Sequence, residues 1–382
     1  MPSRQSKALR LVTNSRQRYA RIVSTLIQWY RTHARDLPWR RSTDPYAIWI
    51  SEIMLQQTQV KTVIPYWERW MTEFPSVEAV ANAGLDRLLK CWEGLGYYSR
   101  ARNFQKAAKL VVGKHRGILP RALDEIMELP GIGRYTAGAI CSIAYDQPAP
   151  LLDGNVIRVL TRLFAIHSDP AKPATNRRLW QIAESLVRAA DQNRVNGERP
   201  CSDLNQALME LGAVICAPTA PSCEKCPLQR HCLAFRRGCV QRLPYKRAKP
   251  PATARRFVAV VLQDKDRFLV RQRPAGVING GLWEFPNVEI HPGASARGAL
   301  DKLAPSSRKG FLPLCRIKHT ITRYRITLEV FQRKATARAA SRLGKWCTLR
   351  QLRRLPFSSA HKRIVEQVSL GQQKVRSSQF DA

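Results

Sequence analysis

Apolar residues recur at helical spacing through most of the first 214 positions. In the first such segment, Ile22, Leu26 and Trp29 fall on one face of a helix that begins near Tyr19. Pro and Gly residues separate the later segments, and no alternating pattern typical of a β-hairpin interrupts them. The pattern predicts an all-α domain. Its later helices are predicted over residues 48–57, 60–73, 85–93, 101–114, 135–144, 156–164, 176–190 and 203–214.

The pattern changes to short alternating, β-branched runs beyond residue 256. Strands are predicted at FVAVVL, RFLVRQ and RITLEVF, with helices near 351–355 and 360–368. A second, α+β domain is therefore expected. The predicted organisation is a basic N-terminal arm without regular structure (1–16), the helical domain (17–232), a basic, Pro-containing linker (233–256), the α+β domain (257–370) and a tail (371–382).

Charge is the feature of the composition that most restricts function. The 382 residues include 64 Lys and Arg against 28 Asp and Glu, a formal net charge of +36. A field of this size favours a polyanionic partner, usually nucleic acid, and a basic protein that is merely soluble is the alternative. We find no bilayer-spanning apolar run and no signal peptide. A cytoplasmic, nucleoid-associated location in a bacterium and a monomeric state are expected. The acid-free first 35 residues also resemble an organellar transit peptide.

Four cysteines lie in one short segment, CAPTAPSCEKCPLQRHC at 216–232, with gaps of six, two and five residues. Thiols this close are typical ligands of a [4Fe-4S] cluster or of a zinc ion. Zinc ribbons usually have two separated CxxC pairs, and this segment has one. Disulfides are a further alternative, although nothing indicates a secretory context. The candidate metal ligands are Cys216, Cys223, Cys226 and Cys232.

The segment LPGIGRYTAGAI, 129–140, predicts a glycine-containing turn that opens a helix. Gly131 and Gly133 permit close backbone approach, and amides at the start of the helix can bind a phosphate. Such a turn indicates contact with the DNA backbone, which carries no sequence information. An ordinary connection between two helices is the alternative.

Two carboxylates are candidates for acid–base chemistry. Glu52 stands among apolar neighbours such as Ile50 and Ile53, where burial would raise its pKa from about 4.3 towards about 6 or more and make it a proton donor near neutrality. Alternatively, it faces water on the polar side of an amphipathic helix. Asp153, in LLDGNVIRVL, begins a predicted helix, where a carboxylate is also a conventional N-cap.

Six motifs together resemble the MutY adenine DNA glycosylase family of the endonuclease III, or helix–hairpin–helix, superfamily. They keep the family's order and spacing over 17–232, and GGLWEFP at 280–286 extends the similarity. The resemblance implies an all-α helix–hairpin–helix glycosylase domain with a [4Fe-4S] cluster, followed by an α+β Nudix-like domain. The motifs are LPWR, SEIMLQQTQV, WEGLGYYSRARN, LPGIGRYTAGAI, LLDGNVIRVLTRL and the cysteine segment.

The resemblance implies hydrolysis of the N-glycosidic bond of adenine mispaired with 8-oxoguanine or guanine in double-stranded DNA, which leaves an abasic site in base excision repair. Glu52 would protonate adenine at N7, and Asp153 would stabilise the oxocarbenium-like sugar, electrostatically or through a covalent intermediate. Tyr135 and Asn155 would support Asp153. Contacts with adenine or DNA are implied for Arg40 and Gln206 (flipped adenine), Gln57 and Tyr97 (insertion into the base stack), Gly131, Gly133 and Thr322.

Tyr135 distinguishes this chain from endonuclease III. Those enzymes carry a lysine at this place in the hairpin, which forms a Schiff base with the sugar. With tyrosine there, we expect hydrolysis without strand cleavage, and endonuclease III activity is the alternative. A non-catalytic lesion binder and an electron-transfer protein are alternatives of other classes. The presence of Glu52 and Asp153 disfavours the first, and the charge and hairpin disfavour the second.

The second domain departs from its relatives at two places. No glutamate-rich Nudix helix follows GGLWEFP, so we expect binding without Nudix hydrolysis. Many MutY proteins have an H-x-F-S-H loop that probes 8-oxoguanine, and HTITR, 319–323, stands here instead. Thr322 keeps a hydroxyl for the lesion base. Ile321 replaces the phenylalanine, which bears on discrimination of 8-oxoguanine from guanine, and Arg323 could contact a phosphate.

Overall fold

The computed structural model describes residues 4–245, 247, 251–274, 276–291, 293–303, 310–321, 323–335 and 344–377. The chain divides into two compact units. The first comprises Met1–Ala81 and Asn103–Ala248, and the second comprises Asn82–Arg102 and Lys249–Ala382. Residues 82–102 therefore belong to the second unit, although the sequence predicts them inside the helical domain.

Helices dominate the chain up to residue 248, as predicted. Shorter 3-10 turns cover Pro38–Arg40, Cys223–Lys225, Gln229–His231 and Val240–Arg242, and a π-helical turn, Ile140–Ala144, continues α8. The α-helices are α1 (Arg4–His33), α2 (Pro45–Leu55), α3 (Val60–Glu73), α4 (Val77–Asn82), α5 (Leu85–Cys91), α6 (Ser99–His115), α7 (Leu123–Met127), α8 (Arg134–Ala139), α9 (Gly154–Leu163), α10 (Pro173–Gln192), α11 (Pro200–Val214) and α12 (Leu233–Arg236).

The core of the first unit forms where the apolar faces of α1, α9, α10 and α11 meet. Ile22 and Leu26, two residues of the predicted α1 stripe, are fully buried there with Leu160, Leu186 and Leu204. Burial of each such side chain contributes about 1.5–3 kcal/mol of hydrophobic free energy. This core fixes the helices whose ends carry the candidate catalytic residues.

Two predictions at the edges of the helical domain are corrected by the structure. Helix α1 begins at Arg4, so most of the predicted irregular arm is helical. The first half of the predicted linker is packed, because Ala234, Cys239 and Leu243 form a small buried cluster. The buried guanidinium of Arg162 donates hydrogen bonds to two carbonyl groups of this segment. Because this segment is rich in Lys and Arg, its three buried apolar residues did not stand out in the sequence.

The second unit contains a seven-stranded mixed sheet, as an α+β domain requires. Strand β1 lies parallel to β6 and antiparallel to β2 and β4, with Phe257 opposite Leu328. The other neighbours, β2 with β3 and β7, and β5 with β6, are antiparallel. The strands are β1 (Thr253–Asp264), β2 (Arg267–Gln272), β3 (Trp283–Glu284), β4 (Asn287–Ile290), β5 (Leu312–Ile321), β6 (Tyr324–Lys334) and β7 (Lys345–Thr348).

Both faces of this sheet are covered by helices. Because side chains alternate along a strand, Val258 and Val260 of β1 point to one face and Ala259 and Val261 to the other. The first face packs against α13 (Ala296–Leu303), and the second against α15 (Ser359–Ser377), which follows the short α14 (Leu349–Leu352). The three predicted strands and the final helices are confirmed, and β3, β4, β5, β7 and α13 are additional. Helix α15 extends to Ser377, so the start of the predicted tail is helical. Among the described residues, no helix has the length and apolarity to span a membrane.

Candidate active site

A pocket of about 490 Å³ in the first unit collects most of the residues predicted to act in catalysis or to contact adenine and DNA. Its volume lies within the range of about 300–1,000 Å³ that is typical of small-molecule sites. Helices α2, α9 and α11 and the start of α8 line it. Among its lining residues are Arg40, Glu52, Gln57, Tyr135, Asp153, Asn155 and Gln206, all seven of them predicted from the sequence.

Glu52 is a buried acid at the wall of this pocket. It is 5% exposed, which excludes the alternative that it faces water on the polar side of α2. The hydroxyl of Tyr135 donates to its Oε2 at 2.6 Å. Burial raises the pKa of Glu52 to about 7, the nearby Asp153 adds to the rise, and the Tyr135 hydroxyl and Arg40 oppose it. A substantial fraction of Glu52 is therefore protonated near neutrality.

Asp153 caps a helix and also lines the pocket. As the N-cap of α9, it accepts a hydrogen bond of 2.7 Å from the backbone N–H of Val156 through Oδ1. Its Oδ2 accepts from Nδ2 of Asn155 at 2.9 Å. Burial raises the pKa of Asp153, and these hydrogen bonds oppose the rise. The same cap geometry that starts the helix holds the carboxylate at the pocket wall.

Arg158 connects the hydrogen-bonded pair of Asp153 and Asn155 to the cysteine segment. Its guanidinium donates to Oδ1 of Asn155 at 2.8 Å and to the carbonyls of Gly212 at 2.7 Å and Cys216 at 2.8 Å. A guanidinium can only donate, so Asn155 presents its oxygen to Arg158 and its amide nitrogen to Asp153. Arg158 was not predicted as a site residue. It lies about one helical turn after Asn155 in α9, and this spacing is the feature of the sequence that could have indicated a contact between the two.

Glu210 and Arg35, which the sequence did not predict as site residues, both contact Arg40. Glu210 has a fully buried side chain and accepts from Arg40 at 2.9 Å and from Arg35 at 2.7 Å. Burial opposes ionisation, but the two guanidinium groups outweigh it and lower the pKa of Glu210 to about 2. Glu210 is thus a fixed anion that orients Arg40 in the pocket. Like Glu52, it is an isolated acid in an apolar helical run, which was the available signal.

Gln206 lines the pocket with both ends of its amide already engaged. Its Oε1 accepts from the hydroxyl of Tyr30 at 3.0 Å, and its Nε2 donates to Oγ of Ser202 at 3.1 Å. The ring of Tyr30 also stacks beneath Arg40, with 5.4 Å between the guanidinium carbon and the ring centroid. Tyr30 thereby ties the two predicted adenine contacts, Arg40 and Gln206, to one helix.

The predicted DNA-contacting residues of the first unit lie at exposed turns. Gln57, just after α2, is exposed and has φ of 57°, in the left-handed region, which turns its side chain out of the helical path. In the hairpin, Gly131 has φ of 82°, and a Cβ there would lie 2.7 Å from Cβ of Asn103. A Cβ at Gly133 would meet open space, so any need for glycine there comes from a partner.

Tyr97 lies in the second unit and is not among the residues that line the pocket. It is 45% exposed, which excludes the alternative of a core tyrosine. Its φ of 46° and the stacking of Arg100 on its ring, at 5.6 Å, hold the side chain at the surface of a turn.

The HTITR segment ends β5 and joins β6. Thr322 lies outside the described residues. Arg323 is exposed and stacks on Tyr324 at 5.2 Å, and Arg255 stacks on the same ring at 4.9 Å. Nδ1 of His319 is buried and makes no hydrogen bond within the described part of the chain. Tyr324 was not predicted as a site residue, although it directly follows the HTITR segment.

The four cysteines of the 216–232 segment are partly buried, and no disulfide joins them. The segment folds against α9, where Arg162 donates to Sγ of Cys216 at 3.3 Å and its carbonyl lies 3.5 Å from Sγ of Cys232. Over the described ranges, no three potential ligands are arranged at metal-binding distances. The donor set nevertheless fits an iron–sulfur cluster, because four thiols can supply its ligands and the buried guanidinium of Arg162 donates to one of these sulfurs.

Comparisons with known proteins show which families the two domains resemble. Residues 50–185 match the family described as HhH-GPD superfamily base excision DNA repair protein, and residues 257–367 match the NUDIX domain family. A solved structure, a thermostable thymine-DNA glycosylase, superposes with a TM-score of 0.52 at 31% identity, covering 58% of this chain and 99% of its own. These matches confirm the predicted fold class, a helical glycosylase domain followed by a Nudix-like domain.

Curated relatives extend the match to both domains. The adenine DNA glycosylase of Rattus norvegicus is 34% identical over 401 residues, which cover 89% of this chain and 76% of the relative. The human adenine DNA glycosylase is 33% identical, covering 91% and 74%. That of Buchnera aphidicola subsp. Baizongia pistaciae is 38% identical, covering 68% and 70%. The chain belongs to the adenine DNA glycosylase family.

Proposed function

We propose that this protein hydrolyses the N-glycosidic bond of adenine mispaired with 8-oxoguanine or guanine in double-stranded DNA and leaves an abasic site. The observation that carries the proposal is the pair of carboxylates in one pocket, with Glu52 buried against Tyr135 and Asp153 fixed at the start of α9. The environments of the two carboxylates indicate different roles. Glu52 is buried, which favours its protonated form, whereas both oxygens of Asp153 accept hydrogen bonds, which favour its ionised form.

Glu52 is the general acid in this proposal. Adenine is a poor leaving group until a proton on N7 accepts the electron density of the breaking bond to the sugar. With a pKa of about 7, Glu52 holds that proton at neutral pH and gives it up as the bond breaks. The Tyr135 hydroxyl, 2.6 Å away, then stabilises the carboxylate that remains.

Asp153 stabilises the positive charge that develops on the sugar. Its hydrogen bonds from Val156 and Asn155 favour the ionised form and hold the carboxylate in place without reorganisation during the reaction. Water then adds to the sugar carbon, and its proton goes to a carboxylate of the pocket. None of the described residues that line the pocket is a lysine, and this supports hydrolysis over Schiff-base chemistry.

The flipped adenine would bind beside Arg40 and Gln206. Arg40 donates hydrogen bonds to the base, and Glu210, whose two oxygens accept four hydrogen bonds from Arg35 and Arg40, fixes the orientation of Arg40. Both ends of the Gln206 amide are occupied, and adenine would have to displace Ser202 or Tyr30 from it.

Further DNA contacts are assigned to exposed residues. Gly131 and Gly133 bring the hairpin backbone to the phosphates, Gln57 and Tyr97 insert at the lesion pair, and the charge of +36 supplies affinity for the polyanion. A monomer suffices for this arrangement. The location proposed with this substrate is the nucleoid in a bacterial cytoplasm.

The cofactor would be a [4Fe-4S] cluster held by Cys216, Cys223, Cys226 and Cys232. When bound, it would cross-link the segment 216–232 and so fix a basic loop for contact with DNA. The chain's own contribution is Arg162, which donates to Sγ of Cys216 and to the carbonyl of Ala217 at 2.8 Å. No step of the hydrolysis passes through the cluster.

The base opposite adenine would be read at the end of β5 and the start of β6. Thr322 offers a hydroxyl, although the family's phenylalanine is absent. Tyr324, whose ring centroid lies 4.9 Å from the guanidinium carbon of Arg255 and 5.2 Å from that of Arg323, is the aromatic group at hand to stack against that base. In this proposal Tyr324 takes over the stacking role, and Arg323 contacts a phosphate.

The test is base release from duplexes that carry adenine opposite 8-oxoguanine, guanine or thymine, with products separated before and after alkali. We expect release from the two purine mispairs only, with strand breaks only after alkali. Release of no adenine, with tight binding retained, would indicate a lesion binder. Strand breaks without alkali would indicate endonuclease III chemistry.

A further inference from the structure

Tyr97 stands at the tip of a tight turn, residues 94–98, whose backbone is held from within. Its φ of 46° and the φ of 72° at Gly96 both lie in the left-handed region. The indole N–H of Trp92 and the guanidinium of Arg100 both donate to the carbonyl of Gly96, at 3.0 and 3.2 Å. The turn therefore holds an aromatic ring towards solvent in a conformation that tyrosine rarely adopts.

The backbone of Phe357 binds this turn at both ends. Its N–H donates to Oε1 of Glu93 at 2.9 Å, and its carbonyl accepts from the hydroxyl of Tyr98 at 3.3 Å. The same hydroxyl accepts from the N–H of Gly94 at 3.2 Å. Phe357 itself is 1% exposed, and its ring stacks on Phe285 in the sheet core at 6.1 Å. The anchor point is thus among the most constrained residues of the second unit.

Glu93 is a buried carboxylate matched by two cations. Its side chain is 6% exposed, and Oε2 lies 2.9 Å from Nζ of Lys90 and 3.2 Å from Nζ of Lys362. Lys90 also donates to the carbonyl of Leu355 at 3.0 Å. A carboxylate in so dry a place is stable only while these partners surround it. The position of the Glu93 carboxylate is therefore set by Lys90 together with residues between 355 and 362.

We propose that Glu93 is a positioning residue for base recognition, because it ties the Tyr97 turn to the backbone of Phe357 and so lets the sheet core fix where the tyrosine ring stands. The inference rests on the proposed function, in which Tyr97 enters the base stack. Entry must overcome base stacking, and a ring that is already ordered loses less conformational entropy on binding than a mobile one. The sheet that would read the lesion base thus also orders the inserting ring.

The test is a double-mutant cycle in the full-length protein. The probe is a duplex with a tetrahydrofuran abasic analogue opposite 8-oxoguanine and 2-aminopurine beside it, whose fluorescence rises when the stack opens. We expect Glu93→Ala to reduce this rise and to weaken binding about tenfold, as Tyr97→Leu does. In the Tyr97→Leu background, Glu93→Ala should have no further effect. Glu93→Gln keeps an acceptor for the Phe357 N–H and should restore most of the signal.

Ile364→Val is the matched control, because it loosens the same core without touching Glu93 or the turn. It should lower Tm while the fluorescence rise stays at the wild-type value. Two results would overturn the positioning role. One is that the losses of signal in Glu93→Ala and Tyr97→Leu add up in the double variant. The other is that Ile364→Val, with a Tm as low as that of Glu93→Ala, loses as much signal as Glu93→Ala does. The proposed function is judged separately by adenine release from the wild-type protein, which the abasic probe does not require.

Discussion

The Tyr135 hydroxyl donates a hydrogen bond of 2.6 Å to Oε2 of Glu52, although 83 residues separate the two along the chain. This contact acts on the acid in the direction opposite to burial. Burial raises the pKa of Glu52, and the hydroxyl favours its ionised form. The result is a pKa of about 7, at which Glu52 can both hold and release a proton under neutral conditions.

The first prediction concerns proton donation by Glu52. Glu52→Gln keeps the shape and a hydrogen-bond acceptor for Tyr135 but cannot transfer a proton. We expect the single-turnover rate of adenine release to fall about 100- to 10,000-fold, with duplex affinity within about threefold of wild type. The control is Glu184→Gln, which removes an exposed acid on α10. Full activity in Glu52→Gln would remove this residue from the mechanism.

The second prediction is a pH dependence of stability that originates in Glu52. Folding raises its pKa from 4.5 to about 7, so the folded protein binds this proton more tightly than the unfolded chain. Its contribution to the free energy of unfolding is fully present below pH 4.5 and is lost as the pH rises through 7. Between pH 5 and 8, wild type should therefore lose more stability than Glu52→Gln, as measured by urea unfolding at each pH. Parallel curves for the two proteins would contradict the raised pKa.

Some of this site could be predicted from the sequence because burial leaves a local signature. Glu52 is an acid surrounded by Ile50, Ile53 and Met54, and that pattern alone indicates a dry carboxylate. Glu210 has the same signature between Leu208 and Leu211, but its role depends on two arginines about 170 residues away. Such partners are chosen by tertiary packing, and spacing along one sequence does not reveal them.

The fold shows the same division between local and distant information. The alternation in β1 and β2 predicts strands directly, whereas β5 has a proline as its second residue and carries Arg316 and Lys318, which conceal its pattern. The assignment of residues 82–102 to the second unit also depends on distant contacts, such as Glu93 with Phe357. Helical periodicity predicts that these residues fold, but not against which core.

The third prediction concerns Arg158, which holds Asn155 with its amide nitrogen towards Asp153. Arg158→Met removes the donor and leaves the carbonyls of Gly212 and Cys216 without it. We expect kcat to fall at least about tenfold with little change in KM, and Tm to fall as well, because buried acceptors lose their partner.

A structural role alone would not predict a loss confined to kcat, so Arg158→Lys is the companion variant. It keeps the charge but not the planar fork that reaches three acceptors, and it should recover stability more than turnover. Arg188→Met, which removes an exposed guanidinium on α10, should leave both unchanged. Equal recovery of turnover and stability in Arg158→Lys would refute orientation of Asn155 as the cause.

The fourth prediction tests Glu210 as the anion that orients Arg40 towards adenine. In Glu210→Gln, Arg35 and Arg40 lose the charge that they share, and the new amide N–H groups point at donors. We expect affinity for a duplex with a non-hydrolysable 2′-fluoro adenosine opposite 8-oxoguanine to fall at least about tenfold. Affinity for the same duplex with an abasic analogue should stay near wild type, because it presents no base to the pocket. Asp36→Asn, which breaks an exposed pair with Arg41, is the control for charge near the same turn. If both duplexes lost affinity equally, Glu210 would act on the whole DNA interface and not on adenine.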